Sequence, residues 1–245
     1  MQVTILGLNG PYPAPGGSCS GYLVQTAGAA IQLDLGSGVL SRLTEYMPPE
    51  ELTGLCFSHW HGDHCSDLLP LIYRLADAAR SRGERWRPLP VYGPEDPTSP
   101  VWREAQACPL MAMHPVTPGM TFVLGDTSVT AYAAAHPVPA VMYRLQAGGK
   151  ILAYTGDTNQ TEELPALAQG ADLLLADGLF PRRLWTADKP HLAAAMCGET
   201  ARASGAHRLV VTHLHPAHDP AELLREAQEA FPTAELARQG MRISL

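Results

Sequence analysis

The sequence predicts an α/β fold in which two β-sheets pack face to face with helices on their outer sides. Short apolar runs bounded by glycine or proline fall into two groups, one in each half of the chain, and segments with helical spacing separate them. With 245 residues, 46% of them hydrophobic, the chain can bury a substantial core. Because no linker or low-complexity tract divides it, we predict a single domain over residues 1–245.

The first half of the chain carries the strands of an opening sheet, with helices between them. Apolar, β-branched runs predict strands at Val3–Leu8, Gly21–Thr26, Ala30–Leu35, Leu55–Ser58 and Leu89–Tyr92. Helical spacing predicts helices at Val39–Tyr46, Ser66–Arg82 and Val101–Ala107. Ser66 and Asp67 are polar residues at the start of the second helix, and we expect them to cap it. A loop rich in glycine and proline, Asn9–Ser20, follows the first strand.

The second half repeats this pattern. Strands are predicted at Thr121–Leu124, Ser128–Ala134, Ala140–Ala147, Ile151–Thr155, Ala171–Ala176 and His207–Thr212. Helices are predicted at Glu162–Gln169, Leu192–Ser204 and Ala221–Ala230. The pair Gly148–Gly149 indicates a tight hairpin between the third and fourth of these strands.

Composition excludes several classes of protein. Five cysteines lie far apart with no CxxC pair, which argues against a disulfide framework or a zinc ribbon. The net charge of −7, with no cluster of lysine or arginine, argues against DNA or RNA as a partner. No apolar run approaches the roughly 20 residues that span a bilayer, and the amino terminus has no cationic opening. We therefore predict a cytoplasmic protein without a membrane partner.

The motif that carries chemistry is His59-Trp60-His61-Gly62-Asp63-His64, between a buried strand and the start of a helix. Residues two apart in an extended segment project to the same side, so His59 and His61 can bind one metal ion. Where the chain turns into the helix, Asp63 and His64 point elsewhere and can bind a second ion. A helix-start loop with Asp63 as its cap is the alternative interpretation.

Three further residues follow the ends of predicted strands: His136, Asp157 and His213. Strand ends on one rim of a two-sheet fold converge, so these side chains can complete a paired metal site. Each alone is more typical of a turn residue or a structural histidine. His215 is an alternative to His213, although His213 is nearer the strand end, and His218 is expected at the surface.

On these motifs the sequence resembles the metallo-β-lactamase superfamily, and within it the branch of ribonuclease Z and related phosphodiesterases. The resemblance covers nearly the whole chain. It rests on the loop Leu6–Pro15, the segment Asp34–Gly38, the motif His59–His64, the segments Leu89–Pro94 and Tyr154–Thr158, and Thr212–Leu214. It implies an αββα sandwich of two mixed sheets flanked by helices, with the metal site on its rim.

The resemblance also implies the ligands of two Zn²⁺ ions, for which Mn²⁺ or Fe²⁺ can substitute. The first ion would be bound by His59, His61 and His136, and the second by Asp63, His64 and His213. Asp157 would bridge the two ions. A hydroxide between the metals would be the nucleophile, and two cations outweigh the bound negative charges, which favours a small anionic substrate.

In this branch a further histidine donates a proton to the leaving group, and an acidic residue holds it. His191 stands at the corresponding place, and Asp177 stands where a glutamate is more usual. The resemblance therefore implies His191, Asp177 and the ligand Asp63 as catalytic residues. The alternative for His191 is an ordinary residue at a helix start.

The predicted reaction is hydrolysis of a small phosphodiester, such as a cyclic nucleotide or a cyclic phosphate. Ribonuclease Z enzymes carry a long basic arm for tRNA, but residues 137–156 read as a plain hairpin, so tRNA 3′ processing is disfavoured. Hydrolysis of a carboxyl ester, lactone or thioester is the main alternative, and a non-catalytic binding protein is another. The loops Asn9–Ser20, Pro94–Pro118 and Phe180–Pro190 are expected to shape the pocket, with Tyr12, Trp102, Phe180 and Trp185 as candidate lining residues. A homodimer would match the habit of the branch.

Overall fold

Two seven-stranded β-sheets form the centre of the structure, a computed structural model that describes residues 1–245. The strands of the first sheet are, in spatial order, β14 (Arg242–Ser244), β1 (Gln2–Gly7), β2 (Gly21–Gln25), β3 (Ala30–Leu33), β4 (Gly54–Cys56), β5 (Leu89–Gly93) and β6 (Met111–Pro115). Those of the second sheet are β13 (Glu235–Leu236), β12 (Leu209–Thr212), β11 (Leu173–Asp177), β10 (Lys150–Tyr154), β9 (Val141–Ala147), β8 (Thr127–Ala133) and β7 (Thr121–Leu124). Both sheets mix parallel and antiparallel pairs, as predicted.

The structure has seven α-helices, of which all but the short second one cover the outer faces of the sheets. They are α1 (Val39–Leu43), α2 (Gly62–Cys65), α3 (Leu68–Arg82), α4 (Pro100–Ala107), α5 (Leu164–Ala168), α6 (Ala194–Ser204) and α7 (Pro220–Ala230). None of these helices combines the length and the apolar character needed to cross a membrane.

The hydrophobic core has three layers, which identifies the αββα order of the sandwich. A central layer joins the inner faces of the two sheets, for example Val3 and Ile31 of the first with Leu145 and Leu175 of the second. A second layer packs β1–β6 against α1, α3 and α4, and a third packs β8–β12 against α5, α6 and α7. Burial of apolar surface in three continuous layers supplies the main stabilising free energy of the fold.

Strand direction determines where the polar loops meet. Strands β3 to β6 are parallel to one another, and so are β10 to β13. The carboxyl ends of parallel strands lie at one edge of a sheet, and ligands commonly bind there in α/β proteins. The segments after β4, β8, β10, β11 and β12 all contribute to the candidate site described below.

Three strands of the structure, β6, β13 and β14, were not predicted from the sequence. Strands β13 and β14 have two and three residues, too few to show an alternating pattern. Strand β6 lies within a segment predicted to be a loop, so Pro94–Pro118 contains both a helix and a strand. Trp102, proposed as a pocket residue in that segment, lies on α4 and packs against the layer beneath the first sheet.

The predicted caps of the long helix are also corrected. The helix begins at Leu68, after the separate short helix α2, and Asp67 stands at its cap position without a capping hydrogen bond. The Asp67 carboxylate instead accepts a hydrogen bond of 2.8 Å from the Leu40 N–H at the start of α1. The Ser66 hydroxyl is buried and has no partner. Asp67 therefore ties two helices together rather than capping its own.

Candidate metal centre

The turn between β4 and α2 carries four side chains that can bind metal ions. His59 is fully buried, and His61 is extended, with φ −69° and ψ 151°, immediately before α2. Asp63 and His64 lie inside the single turn of α2, where the helical backbone turns them away from His61. The short helix therefore separates the two pairs of side chains, as the sequence predicts.

The first three-histidine set, here called the outer ligand group, consists of His59, His61 and His136. His61 Nδ1 lies 3.0 Å from His59 Nε2 and 3.1 Å from His136 Nε2. His136 reaches this position from the segment after β8, and both it and His61 are half-buried. Three ring nitrogens thus converge at the open side of the site.

The second set, here called the inner ligand group, consists of Asp63, His64 and His213. His213 Nε2 lies 3.1 Å from Asp63 Oδ2 and 3.3 Å from His64 Nε2. His213 follows β12 directly and has a positive φ of 57°, a conformation uncommon for residues other than glycine. Gly10 packs so closely on the imidazole that a Cβ there would overlap the ring.

Asp157 lies between the two groups. Its Oδ2 is 3.6 Å from His59 Nε2, and its Oδ1 is 3.1 Å from His64 Nε2 and 3.4 Å from His213 Nε2. One ligand atom from Asp157 falls within 4.8 Å of the ligand atoms of each group. A carboxylate in this place can contact two cations at once, which matches the bridging role that the resemblance implies.

The structure supplies hydrogen-bond partners for the ring nitrogens that face away from the cluster. Asp34 is the partner of His64, at 2.7 Å from Nδ1, and Pro190 O is the partner of His136, at 3.2 Å from Nδ1. Ser58 Oγ lies 3.0 Å from His59 Nδ1. Such contacts fix the tautomer and the orientation of ligating imidazoles.

Asp34 is the functional residue that sequence reasoning missed. Besides His64, its carboxylate accepts hydrogen bonds from the backbone and hydroxyl of Ser58 and from the hydroxyl of Tyr154. Its φ of 51° is again positive, so the backbone is strained at a residue that orients a candidate ligand. The sequence does show a polar residue at a strand end here, because Asp34 follows β3 and precedes Leu35-Gly36. Its position alone does not tell a metal ligand from a residue that orients a ligand.

Burial and charge give the two groups different protonation behaviour. Burial lowers the pKa of His59, His61 and His136, so these rings are neutral and their lone pairs are available. Burial also disfavours charge on His213, but the carboxylates of Asp157, Asp177 and Asp63 outweigh it and raise the pKa of His213 to about 10. The pKa of His64 is likewise raised by the surrounding carboxylates.

The donor set fits a pair of divalent cations. Asp157 Oδ1 is buried and faces His64 Nε2 at 3.1 Å and His213 Nε2 at 3.4 Å, without a well-directed hydrogen bond to either. Buried polar atoms are rarely left unpaired, and buried carboxylates require a compensating positive charge. The mixture of imidazole and carboxylate ligands suits zinc and other first-row transition metals.

His191 and Asp177, which the resemblance implies as a catalytic pair, lie at the edge of the cluster. His191 Nδ1 is 2.8 Å from Asp177 Oδ2, and the His191 ring stacks on His213 with centroids 5.0 Å apart. Burial raises the pKa of Asp177, but attraction to His191 and His213 outweighs that effect and leaves the pKa below its usual value. The shorter aspartate side chain therefore reaches the histidine without a glutamate.

The other two histidines of the carboxyl-terminal loop lie outside both ligand groups. His215 packs edge-on against Tyr12 and stacks on His218 with centroids 4.6 Å apart. His218, expected at the surface, is half-buried, because Phe180 and His215 cover it. Of the two candidates after β12, His213 is the one that the structure brings to the cluster.

Comparison with known proteins extends these findings. The family described as the beta-lactamase superfamily domain matches residues 34–214. The probable metallo-hydrolase YhfI of Bacillus subtilis is 29% identical over 94% of this chain and 94% of its own. Ribonuclease Z of Methanopyrus kandleri is 26% identical, over 99% of this chain and 97% of its own.

Solved structures show the same architecture. The crystal structure of YhfI superimposes with a TM-score of 0.91 at 27% identity, covering 99% of this chain and 98% of that one. A diphosphatase from the PhnP family superimposes with a TM-score of 0.76 over 100% of this chain and 97% of its own, and its 16% identity shows the fold alone. Because the family match spans most of the chain and includes every residue of both ligand groups, the chain belongs to the beta-lactamase superfamily and is a metallo-hydrolase with a His/Asp metal site.

Proposed function

We propose that this metallo-hydrolase cleaves small phosphodiesters, with cyclic nucleotides and cyclic phosphates as the preferred class, and that zinc is its native metal. The observation that carries the proposal is the pair His191–Asp177, at 2.8 Å, beside the ligand cluster. An alkoxide leaving from phosphorus is strongly basic and benefits from a proton donor in the transition state. Departure from a carbonyl carbon more often needs less help.

The side chains of the site divide the work of such a reaction. Bound divalent ions would supply a nucleophile at neutral pH and stabilise charge on the attacked phosphoryl group. Asp157, Asp63 and the five histidines of the two ligand groups would bind and space those ions. Asp177 accepts the Nδ1 hydrogen of His191, so the other nitrogen, which has no hydrogen bond within the protein, can carry and release a proton.

The short hairpin between β9 and β10 supports a small substrate rather than tRNA. Strands β9 and β10 pair directly, with Ala147 opposite Lys150 and only Gly148 and Gly149 at the turn. This hairpin occupies the segment where a basic arm would be inserted, so the chain lacks a built surface for a long polyanion there. The acidic net charge of −7 points the same way.

The ribonuclease Z relative supports chemistry at phosphorus, and the diphosphatase shows that this fold accommodates it. The ribonuclease Z sequence aligns over nearly the whole chain, and the PhnP-family diphosphatase shares its fold. Both names describe cleavage of a phosphate ester or anhydride. Neither identifies the substrate of this chain.

A matched substrate panel tests the proposal. Metal content of the purified protein is measured first, and then hydrolysis of bis-p-nitrophenyl phosphate, 2′,3′-cyclic AMP, a p-nitrophenyl ester and a lactone is compared. We expect the two phosphodiesters to have higher kcat/KM values than the carbonyl substrates. Higher values for the ester or lactone would replace the proposal with a carbonyl hydrolase, and protein that binds no metal would indicate a non-catalytic binding protein.

The role of His191 has its own test. In His191→Ala we expect kcat on the cyclic nucleotide, whose leaving group is poor, to fall about 10²- to 10⁴-fold. We expect kcat on bis-p-nitrophenyl phosphate, whose leaving group is activated, to fall far less. His207→Ala, at an exposed histidine, is the control and should match the wild type. Equal losses on both substrates would rule out proton donation by His191.

A further inference from the structure

A cavity adjoins the candidate metal centre on the side of the outer ligand group, at His136. It has a volume of about 560 Å³, and His136 forms part of its wall. The remaining wall comes from the segments after β5, β6 and β8, which include Pro94, Val116, Pro118 and Val138. The cavity therefore has room for the organic part of a molecule whose phosphate binds at the metal centre.

The wall of this cavity is rigid and mainly apolar. Proline has a fixed φ, so the proline-rich segments 94–95, 115–118 and 137–141 lose little further freedom when a ligand binds. Apolar walls with a few polar groups are typical of small-molecule sites. The cavity volume exceeds that of a single planar ring system and lies within the 300–1,000 Å³ typical of such sites.

The charge of the cavity restricts its occupant. No lysine or arginine lines it, and Glu95 is its one carboxylate. A second phosphate, as in an oligonucleotide, would meet repulsion there, whereas a neutral group with an N–H donor could hydrogen-bond to Glu95.

We propose that this cavity is the specificity site for the organic part of the substrate, and that it accepts an amino-bearing nucleobase whose exocyclic amine donates to Glu95. This inference rests on the proposed phosphodiesterase function and narrows it to nucleotides that carry one phosphate and an amino-substituted base. Cyclic phosphates without a base would bind through the metal centre alone.

Binding of reaction products tests the proposal without requiring turnover. Calorimetry with zinc-loaded protein would compare adenosine 5′-monophosphate, purine riboside 5′-monophosphate, which lacks the 6-amino group, and methyl phosphate, which lacks the base. Burial of roughly 60 Å² of base surface is enough for about a tenfold gain, so the adenine nucleotide should bind at least about tenfold more tightly than methyl phosphate. The amino group should add about twofold to fivefold over purine riboside.

Variants locate the effect. Val138→Trp fills the cavity, and Thr117→Trp does so from an exposed position in case the first variant folds poorly; each should reduce affinity for the adenine nucleotide to that for methyl phosphate. Glu95→Ala should bring the ratio between the two nucleotides to about one. Val123→Trp, on the exposed face of β7, and Glu104→Ala, exposed on α4, are the matched controls and should bind like the wild type.

The outcomes separate this inference from the proposed function. Equal affinity of wild-type protein for the adenine nucleotide and methyl phosphate, or full nucleotide affinity in both tryptophan variants, would overturn the cavity assignment even if phosphodiesters are cleaved. The expected affinity ratios without cleavage of any phosphodiester would support the cavity and refute the proposed reaction.

Discussion

The outer and inner ligand groups share Asp157 but are built differently. The outer group consists of three histidines with lowered pKa values, two of which are half-buried. The inner group contains the carboxylate of Asp63 and is backed by Asp34 and Asp177. Negative charge therefore concentrates on the inner side, and we expect the inner position to bind a divalent ion more tightly than the outer one.

The two groups also differ in what supports them. His64 of the inner group is oriented by the buried carboxylate of Asp34, which is itself tied to Ser58 and Tyr154. His136 of the outer group is oriented by the carbonyl of Pro190, in a loop held by Asn159. The buried network also reaches His59 of the outer group through Ser58, whereas His136 depends on a surface loop.

The shared carboxylate gives the largest predicted effect. Asp157→Asn removes the charge between the groups, so we expect loss of metal from both positions and a fall in kcat/KM of at least about 10³-fold, beyond the 10- to 100-fold typical of residues behind the ligands. Metal analysis after dialysis and hydrolysis assays measure it. Asp77→Asn, on the exposed side of α3, is the control. If one equivalent of metal remained, Asp157 would serve a single position.

The sequence predicted that these side chains converge, from the motif His59–His64 and from metal-binding residues after strand ends, and the family resemblance implied their roles as ligands. His136, Asp157 and His213 are distant in the chain, but strand direction brings them to one rim. Asp34 was missed because its role depends on a contact with His64, 30 positions away, that no local pattern reveals. Strand β6 was missed for a related reason, since its pairing with β5 follows from the sheet and not from its own short sequence.

Removal of Asp34 should affect the inner position most, because Asp34 contacts His64 directly and His59 only through Ser58. In Asp34→Asn we expect metal affinity of the inner position to fall about 10- to 100-fold, because His64 loses the carboxylate that fixes its orientation and its basicity. The outer position should keep its metal. Titration with a metal indicator resolves the two positions, and thermal unfolding reports any loss of stability separately.

A matched variant distinguishes orientation of His64 from general disruption. Tyr154→Phe removes one hydrogen-bond donor to Asp34 but leaves the contact between Asp34 and His64. It should keep both metals with affinities close to those of the wild type. An equal loss in the two variants would show that Asp34 supports the local fold and not the inner ligand.

The outer support should give a smaller effect. The Asn159 side-chain amide donates to the carbonyls of Ala187 and Lys189, and its oxygen accepts from the Trp185 indole. In Asn159→Ala we expect the loop to loosen, with about a tenfold fall in metal affinity at the outer position and a loss of kcat that is larger for poor leaving groups, since His191 follows the same loop. Gln160→Ala, at the exposed neighbour, is the control. Weakening of the inner position instead would contradict the division between the two supports.

The smallest predicted effect is a pH dependence of the stability of the metal-free protein, caused by protons bound to the inner histidines. The folded-state pKa of His213 is about 10, above the ordinary value of 6.5, so protonated His213 stabilises the fold fully below pH 6.5 and this stability is lost as pH rises through 10. His64 shifts in the same direction. Between pH 7 and about 8.5, below the ordinary pKa of the cysteines, release of the His213 proton on unfolding should lower the free energy of unfolding by about 1.4 kcal/mol per pH unit.

Denaturant unfolding at several pH values measures this slope. The outer histidines have lowered pKa values and bind no proton in that range, so the whole effect comes from the inner group. Metal-loaded protein should lose the slope, because ligation keeps the histidines neutral. His213→Ala should reduce the slope in the metal-free protein, whereas His136→Ala should leave it intact. A free energy of unfolding that stays flat or rises between pH 7 and 8.5 would mean that the inner carboxylates do not keep their histidines protonated. It would contradict the proposed difference in charge between the inner and outer ligand groups.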